Sequence, residues 1–276
     1  MASQTERLRR TDERTRSDFP KMIDETVHLE PRAKSTGRGE SARAPQRSEE
    51  ALSISRNLAI IGDGYHVRLA TGISHLETQI SQLVSRMYGS RGLTPADATP
   101  APPRPGQTSL AACRGDRVVG TLTVGVDSND GLLADTLYRP QIDEVRENGG
   151  RVCEVTRLAM DSTARSADLM ATLFSLGFIL ARHVHRMTDM FIEVHPRHAG
   201  YYQKMLGYRV SGPLLICPRV QAPAVLMHLP LHHAEMRLRH LAASPEVKER
   251  SLYRQALQPG EHARIIRELL VQPAAA

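Results

Sequence analysis

Tryptophan is absent from this 276-residue chain, and phenylalanine occurs only four times. The core must therefore be filled by aliphatic side chains. Aromatic and basic residues are not interleaved, which excludes the stacking platform that single-stranded nucleic acids require. The three cysteines, Cys113, Cys153 and Cys217, lie far apart in apolar stretches, and the 12 histidines are dispersed. No spacing fits a metal site, so no metal is expected and the thiols read as reduced core residues. No run of about 18 apolar residues stands out, so no membrane span is expected. The N-terminus is polar and lacks a signal-peptide core, which points to a cytoplasmic protein. No internal repeat is present. The net charge of +6 comes from scattered arginines, many beside acids, as in E-R-L-R-R and V-K-E-R. Without a concentrated stripe, no nucleic-acid partner is expected.

What the chain does contain falls into three parts. Residues 1–56 are rich in Arg, Glu, Ser, Thr and Pro and hold few large apolar groups. They cannot bury enough surface to offset their ordering entropy and read as a disordered, flexible basic arm with a short helix near Met22. Residues 57–232 alternate strand and helix patterns. Y-H-V-R-L-A from Tyr65 reads as a strand. Ser74 and Glu77 form a capping box for a helix to about Tyr88, with Leu76, Ile80, Leu83, Val84 and Met87 at helical spacing. Ser109–Cys113 and Val118–Val126 form a hairpin across R-G-D, residues 114–116, which is a turn signal here. Leu132–Asn148 is a loop with helical character. A strand over Arg151–Asp161 and a strongly apolar helix over Asp168–Arg186 follow. A strand at Met190–Val194 leads to a helix over Arg197–Leu206, stopped by Gly207. Strands near Tyr208–Ile216 and Ala224–Leu229 close the domain. Residues 233–276 form a helical C-terminal extension broken at Pro245 and Pro259. The pattern predicts an α/β fold, a mixed central sheet with helices on both faces.

Chemistry is concentrated in R-V-C-E-V-T-R-L-A-M-D, residues 151–161. Glu154 and Arg157 stand inside a strand that should be buried. An unpaired buried charge costs several kcal/mol, so each needs a partner, a ligand or water. The alternatives are a catalytic carboxylate and a structural ion pair. Strict alternation puts residues three apart on opposite faces. A β-bulge would bring both to one cleft; without it Arg157 braces neighbouring loops. Arg68 is a further cation in an apolar strand.

The order of elements resembles the GNAT fold of acyl-CoA-dependent N-acyltransferases. E-V-T-R-L-A-M-D resembles the central strand of acyl-homoserine lactone synthases, where glutamate followed three residues later by arginine is a hallmark. E-V-H-P-R-H-A-G-Y-Y-Q-K-M-L-G-Y, from Glu193 to Tyr208, resembles the matching strand, helix and glycine of N-acyl amino acid synthases of the FeeM type. The resemblance covers residues 60–232. It implies transfer of a long-chain acyl group from an acyl-carrier protein to the amine of an amino acid or similar small amine, with no permanently bound cofactor. Glu154 would be the base. Arg157, Arg68 and Tyr202 would bind substrate; Tyr202 also lies near the position of the tyrosine that protonates the leaving thiolate in many members of the fold, although its spacing to the glycine is one residue longer than usual. Arg165, Ser166, His195 and His198 would meet the donor. Acetyl-CoA enzymes of this fold place a glycine-rich turn before the long helix to cradle a pyrophosphate. Here that turn, residues 161–170, has no glycine and carries Asp168. That favours acyl-carrier protein over acyl-CoA. Small residues such as Ala167 and Ala171 could line an acyl tunnel or simply the core. The lipid product would give a peripheral membrane association. The rival readings are an acetyl-CoA-dependent N-acetyltransferase and a catalytically inactive acyltransferase-like binding domain.

Deleting residues 1–56 should leave the melting temperature of the remaining protein nearly unchanged, because the arm is too polar to fold alone. Differential scanning calorimetry of the truncated chain checks this; a drop of many degrees would show that the arm packs on the core.

Overall fold

The computed structural model describes residues 59–62, 64–90, 92, 104–164, 166–244, 246–257 and 259–270. The expectations for residues 1–56, the helix near Met22 and Arg165 fall outside them. Strands β1 (Ala59–Gly62) and β2 (Tyr65–Leu69) precede helix α1 (Ser74–Gly89). The hairpin β3 (Gln107–Arg114) and β4 (Arg117–Val126) leads to α2 (Asp135–Glu147) and β5 (Val152–Met160). Helix α3 (Ala167–Phe178) runs on as a wider π-type segment, Ile179–Val184. Then come β6 (Asp189–Val194), α4 (Pro196–Leu206), β7 (Arg209–Val210), β8 (Leu215–Cys217) and β9 (Ala222–Pro230). The C-terminal segment forms α5 (Leu231–Ala243), a 3₁₀ turn at Leu252–Arg254 and α6 (Pro259–Leu270).

The strands make one nine-stranded sheet in the order β1-β2-β3-β4-β5-β6-β9-β7, with β8 also paired to β9. All pairings are antiparallel except β5 with β6. This is the mixed sheet that the residue pattern predicts. Its register defines two faces. Gln107, Gly125, Glu154 and Phe191 form one cross-strand row, and Ser109, Thr123 and Thr156 form the next on the same face. Helix α1 covers part of this face, packing Leu76, Ile80, Leu83 and Met87 on Ala111 and Ala159. Helix α2 covers the rest, packing Tyr138 and Ile142 on Val152, Phe191 and Leu226.

Helix α3 lies on the other face: Gly177 abuts Leu122 and Val124, and Gly120 abuts Leu169 and Leu173. Every residue from Leu169 to Phe178 is buried, so the helix is apolar all round because it is surrounded. Ala167–Val184 is in fact long and apolar enough to cross a membrane by length and composition, contrary to the sequence expectation, but 78% of it is buried inside the fold. That is the setting of a core helix.

Other elements depart from expectation for local reasons. Ser74 lies in the first turn of α1 and does not cap it; Ile73 holds the cap position. Glu77 does reach back, but to the Gly72 N–H at 2.8 Å. Leu132–Asn148 is mostly helix despite Pro140, because the backbone kinks at Tyr138 and so accommodates the proline. The expected single strand over Tyr208–Ile216 splits into β7 and β8. Gly212 interrupts it where a Cβ would come within 2.7 Å of the Tyr138 ring. Gly207 does end α4, with φ of 74°.

Arg146 holds α2 to the strands. Its guanidinium meets Asp127 at 2.8 Å, Asp135 at 2.8 Å and Asp143 at 2.7 Å while only 16% exposed. Arg146→Leu should destabilise the fold by about 3 kcal/mol, because it strands two half-buried carboxylates. Urea unfolding measures it; a change within about 0.5 kcal/mol would mean that the cluster is a solvated surface pair.

Candidate active site

Strands β5 and β6 pair only from Val152–Asp189 to Val155–Ile192. Yet β5 continues to Met160 and β6 to Val194. Past Val155 and Ile192 the two strands therefore part. The other edge of β5 is irregular at the same level. Thr123 pairs with Thr156 but Thr121 with Ala159, so Arg157 and Leu158 together oppose Leu122. This is a β-bulge, and Arg157 takes φ of 51° in the left-handed region, costly for a residue with a Cβ. Thr156, Arg157 and Leu158 on one strand and Glu193, Val194 and His195 on the other are half-buried, although they lie in the middle of the sheet. The backbone groups of a parted central strand need a ligand or water. The wedge is thus a slot in which an extended chain could lie between two strands.

Glu154 stands at the closed end of this wedge and is 3% exposed. Its Oε1 accepts the Leu133 N–H at 2.8 Å and its Oε2 the Ala134 N–H at 3.1 Å. Ala134 immediately precedes α2, so the carboxylate sits at the positive end of a helix. Arg219, in the turn between β8 and β9, donates to the Leu133 carbonyl at 2.8 Å and is ion-paired with Glu193. Burial pushes the Glu154 carboxyl up to about 7, against the pull of the two backbone donors and Arg219, while Glu193 adds to the rise. Burial also raises Glu193, with Arg219 opposing it. Two carboxylates sharing one guanidinium titrate as a coupled pair.

Among the described residues, Oε1 of Glu193 and Oγ1 of Thr156 are buried without a hydrogen-bond partner. These are the first side chains past the last paired residues of β6 and β5. Buried polar atoms in a native fold normally have partners, so both mark a place for water or ligand. The face beyond is lined with hydroxyls: Ser109 and Thr123 are in contact at 2.8 Å, and Thr121 is buried beside them. A carboxyl poised near 7, a second one beside it and unpaired strand backbone can take a proton from an ammonium and hold a developing oxyanion.

The bulge brings Arg157 to the helix-covered face that carries Glu154, where its electrostatic neighbours are Tyr88 and Glu77 of α1. Arg68 is not at the wedge. It pairs with Ala111, which is level with Ala159, and β2 stands three strand steps, about 14 Å, from β5. Tyr202 packs edge-on against Phe174, Tyr201 and Tyr208, on the α3 side of the sheet. The Ser166 hydroxyl caps α3 by accepting the Leu169 N–H at 3.0 Å. Asp168, in the same turn, accepts from the Tyr65 hydroxyl. His195 caps α4 through the Arg197 N–H at 3.3 Å, and its ring lies 6.4 Å from that of His198, beside the mouth of the wedge. Glu193 and Arg219 were not singled out by sequence reasoning. A carboxylate in the apolar strand M-F-I-E-V is the same signal that marks Glu154. Arg219 lies in a turn and gives none.

Residues 79–230 match the family model of the N-acyl amino acid synthase FeeM. Among solved structures, FeeM, an N-acyl amino acid synthase from uncultured soil microbes, is 23% identical with a TM-score of 0.54, over 62% of this chain and 93% of that one. An acyl-CoA N-acyltransferase from Pseudomonas aeruginosa is 15% identical with a TM-score of 0.42, over 59% of this chain and 97% of that one. The AHL synthase LasI is 14% identical with a TM-score of 0.43, over 62% of this chain and 91% of that one. No curated protein matches the chain.

The carboxyl pair makes stability fall with pH. Glu154 goes from 4.5 unfolded to about 7 folded. The folded state thus keeps a proton that the unfolded chain has released, and stability present below about pH 4.5 is lost by pH 7, about 3 kcal/mol from this group. Arg219→Met removes the cation that holds both carboxyls down, so the loss should steepen and extend above pH 7. Urea denaturation at pH 5, 7 and 8.5 reads this. Parallel wild-type and variant curves would show that Arg219 does not act on the pair.

Proposed function

The chain belongs to the family of N-acyl amino acid synthases of the FeeM type, and from that premise we propose that it moves a long-chain acyl group from an acyl-carrier-protein thioester to the amine of an amino acid or similar small amine. The coarser statement, that this is an acyltransferase acting on nitrogen, belongs to the family. The carrier and the acceptor rest on the site. One observation carries the choice of carrier: the first turn of α3 carries a carboxylate where a pyrophosphate would sit. Ser166 takes one N–H and Asp168 adds a carboxylate bound to Tyr65. A helix N-terminus of this kind would repel the pyrophosphate of CoA rather than cradle it. A carrier protein delivers its acyl group on a phosphopantetheine arm without that pyrophosphate.

In this reading the pantetheine arm lies in the wedge, along the unpaired edges of β5 and β6. The acceptor lies on the hydroxyl-lined face, its carboxylate at the Arg157 guanidinium. Its ammonium gives a proton to the Glu154–Glu193 pair, through water because Glu154 is 3% exposed. The amine nitrogen then attacks the thioester carbonyl. Backbone N–H groups of the bulged segment hold the oxyanion as the C–N bond forms. Collapse breaks the C–S bond; the nitrogen gives up its second proton, which is relayed through water to the departing thiolate at the mouth of the wedge, where His195 and His198 stand, so that amide and thiol are released. Such a reaction suits a cytoplasmic setting.

Matched acyl chains on acyl-carrier protein and on CoA separate the two donors. At equal concentration, kcat/KM with the long-chain carrier-protein thioester should exceed that with CoA by at least about tenfold, the equivalent of one lost or repelled charge contact. Faster turnover with acetyl-CoA than with any long-chain carrier-protein thioester would contradict the proposal.

A further inference from the structure

The segment that closes the sheet beyond the wedge is unlike the rest of the surface. From Val194 to Ala234 the chain has no aspartate or glutamate, yet it carries Arg197, Lys204, Arg209 and Arg219. It folds into α4, β7, β8 and β9, at the outer edge of the sheet. Between Arg209 and Arg219 the run from Val210 to Pro218 has no charged residue. Three of its aliphatic side chains stand in solvent: Val210 is 49% exposed, Leu214 51% and Ile216 59%. Exposed aliphatics are ordinary singly, but a row of them marks an interaction surface.

Register puts the three in one row. Leu215 pairs with Ala224 and packs on the α2 side of the sheet, so its neighbours Leu214 and Ile216 face the other side. Arg209 pairs with His228, whose ring stacks on Phe191 on the α2 side, so Val210 also faces away from α2. Helix α4 lies on that opposite side, where its Tyr202 meets Phe174 of α3, and it exposes Arg197 and Lys204. An aliphatic row and two cations thus share one face. Strand β8 pairs with Ala222–Ala224, just past Val225, which pairs with Val194 beyond the last closed step of β5 and β6. The row therefore stands beside the mouth of the wedge, two strand steps, about 10 Å, from β6.

The acids packed nearest are already engaged. Arg219 holds Glu193, Arg237 holds Glu249, and Arg86 and Arg117 hold Asp161 across the mouth. Asp168 accepts from Tyr65, and Glu246 stands two residues from Lys248. Arg197 donates to the His198 ring, and Lys204 is in no ion pair among the described residues. The face is therefore cationic as well as aliphatic. A second copy pairing along this edge would need strand N–H groups, which Pro213 and Pro218 lack. An acidic protein would answer the cations and leave the aliphatic row without a counterpart. A bilayer with anionic headgroups answers both.

We propose that this face docks the protein on an anionic bilayer, with Val210, Leu214 and Ile216 entering the headgroup–acyl boundary and Arg197 and Lys204 meeting the phosphates. The wedge then opens next to hydrocarbon, where a long-chain product can leave. That use rests on the acyl-transfer reading; the binding does not.

Sedimentation of the full chain with phosphatidylcholine vesicles, without and with about 30% phosphatidylglycerol, tests it. The wild type should bind the anionic vesicles at least about tenfold more tightly than the neutral ones, and Lys204→Gln should lose about fivefold, the usual effect of one cation at such a surface. Leu214→Ser combined with Ile216→Ser should lose at least about tenfold; both side chains are exposed, so folding should survive. The chain has no tryptophan, so Ile216→Trp gives a single reporter whose emission should shift to the blue on the anionic vesicles. No binding by the wild type, equal binding to neutral vesicles, full binding by the folded serine pair or no blue shift at position 216 would overturn the proposal. A blue shift with an acyl-carrier protein but not with vesicles would assign the face to the carrier and overturn the bilayer. A shift that follows protein concentration alone, with a doubled mass on size exclusion, would assign it to a second copy and do the same. In vesicle-free solution the serine pair should transfer acyl groups as the wild type does; no transfer by either would contradict the functional reading and leave the vesicle result standing.

Discussion

The interaction on which the rest of this structure depends is the double acceptance of backbone N–H groups by the Glu154 carboxylate. A buried charge in the central strand of an aliphatic sheet is costly unless its lone pairs are used. Leu133 and Ala134 use them, and in doing so fix the start of α2 against β5. Arg146 fixes the other end of the same helix to Asp127, at the end of β4. With α2 held at both ends, Tyr138 and Ile142 pack on Phe191 and Leu226. Burial in turn lifts the carboxyl to about 7, which makes a structural anchor available for proton transfer. The anchor and the proposed base are two consequences of one environment.

The wedge depends on the same strand. A parallel pair that stayed closed over its whole length would bury Thr156 and Glu193 against each other. The bulge at Arg157 and Leu158 shifts the strand's register on the β4 side at the level where β6 departs on the other. The left-handed φ of Arg157 is the local strain that this requires. Opposite, α3 follows β5, and its first turn holds the Ser166 hydroxyl, which accepts the Leu169 N–H, and the Asp168 carboxylate.

Much of this was legible in the sequence, and the reasons differ by element. Helix α3 was legible because ten consecutive buried residues leave a long apolar run. The hairpin was legible because its turn residues are specific, and α4 because Gly207 ends it. Glu154 was legible as a charge where none should be. Helix α2 was under-read because Pro140 looks like a break, and the kink that absorbs it at Tyr138 carries no sequence mark. Ser74 looked like a cap because the capping box is a local pattern, whereas the cap actually formed uses the Gly72 backbone. Arg68 and Tyr202 were drawn towards the site by sequence context, but strand order puts one three strands away and the α3-side packing puts the other behind the sheet. Arg219 was invisible because a turn residue reaches Glu193 and Leu133 only through the fold. The wedge itself is an absence of pairing, which no residue pattern encodes.

The central claim is that Glu154 takes the acceptor's proton, beyond anchoring α2. Glu154→Gln keeps the shape and one acceptor oxygen but cannot take a proton. Turnover and melting temperature measured on the same sample decide the matter. The account predicts a folded variant whose turnover falls about 10²- to 10⁴-fold, the usual contribution of a positioned base. A folded variant with near-normal turnover would contradict it and leave Glu154 as an anchor alone.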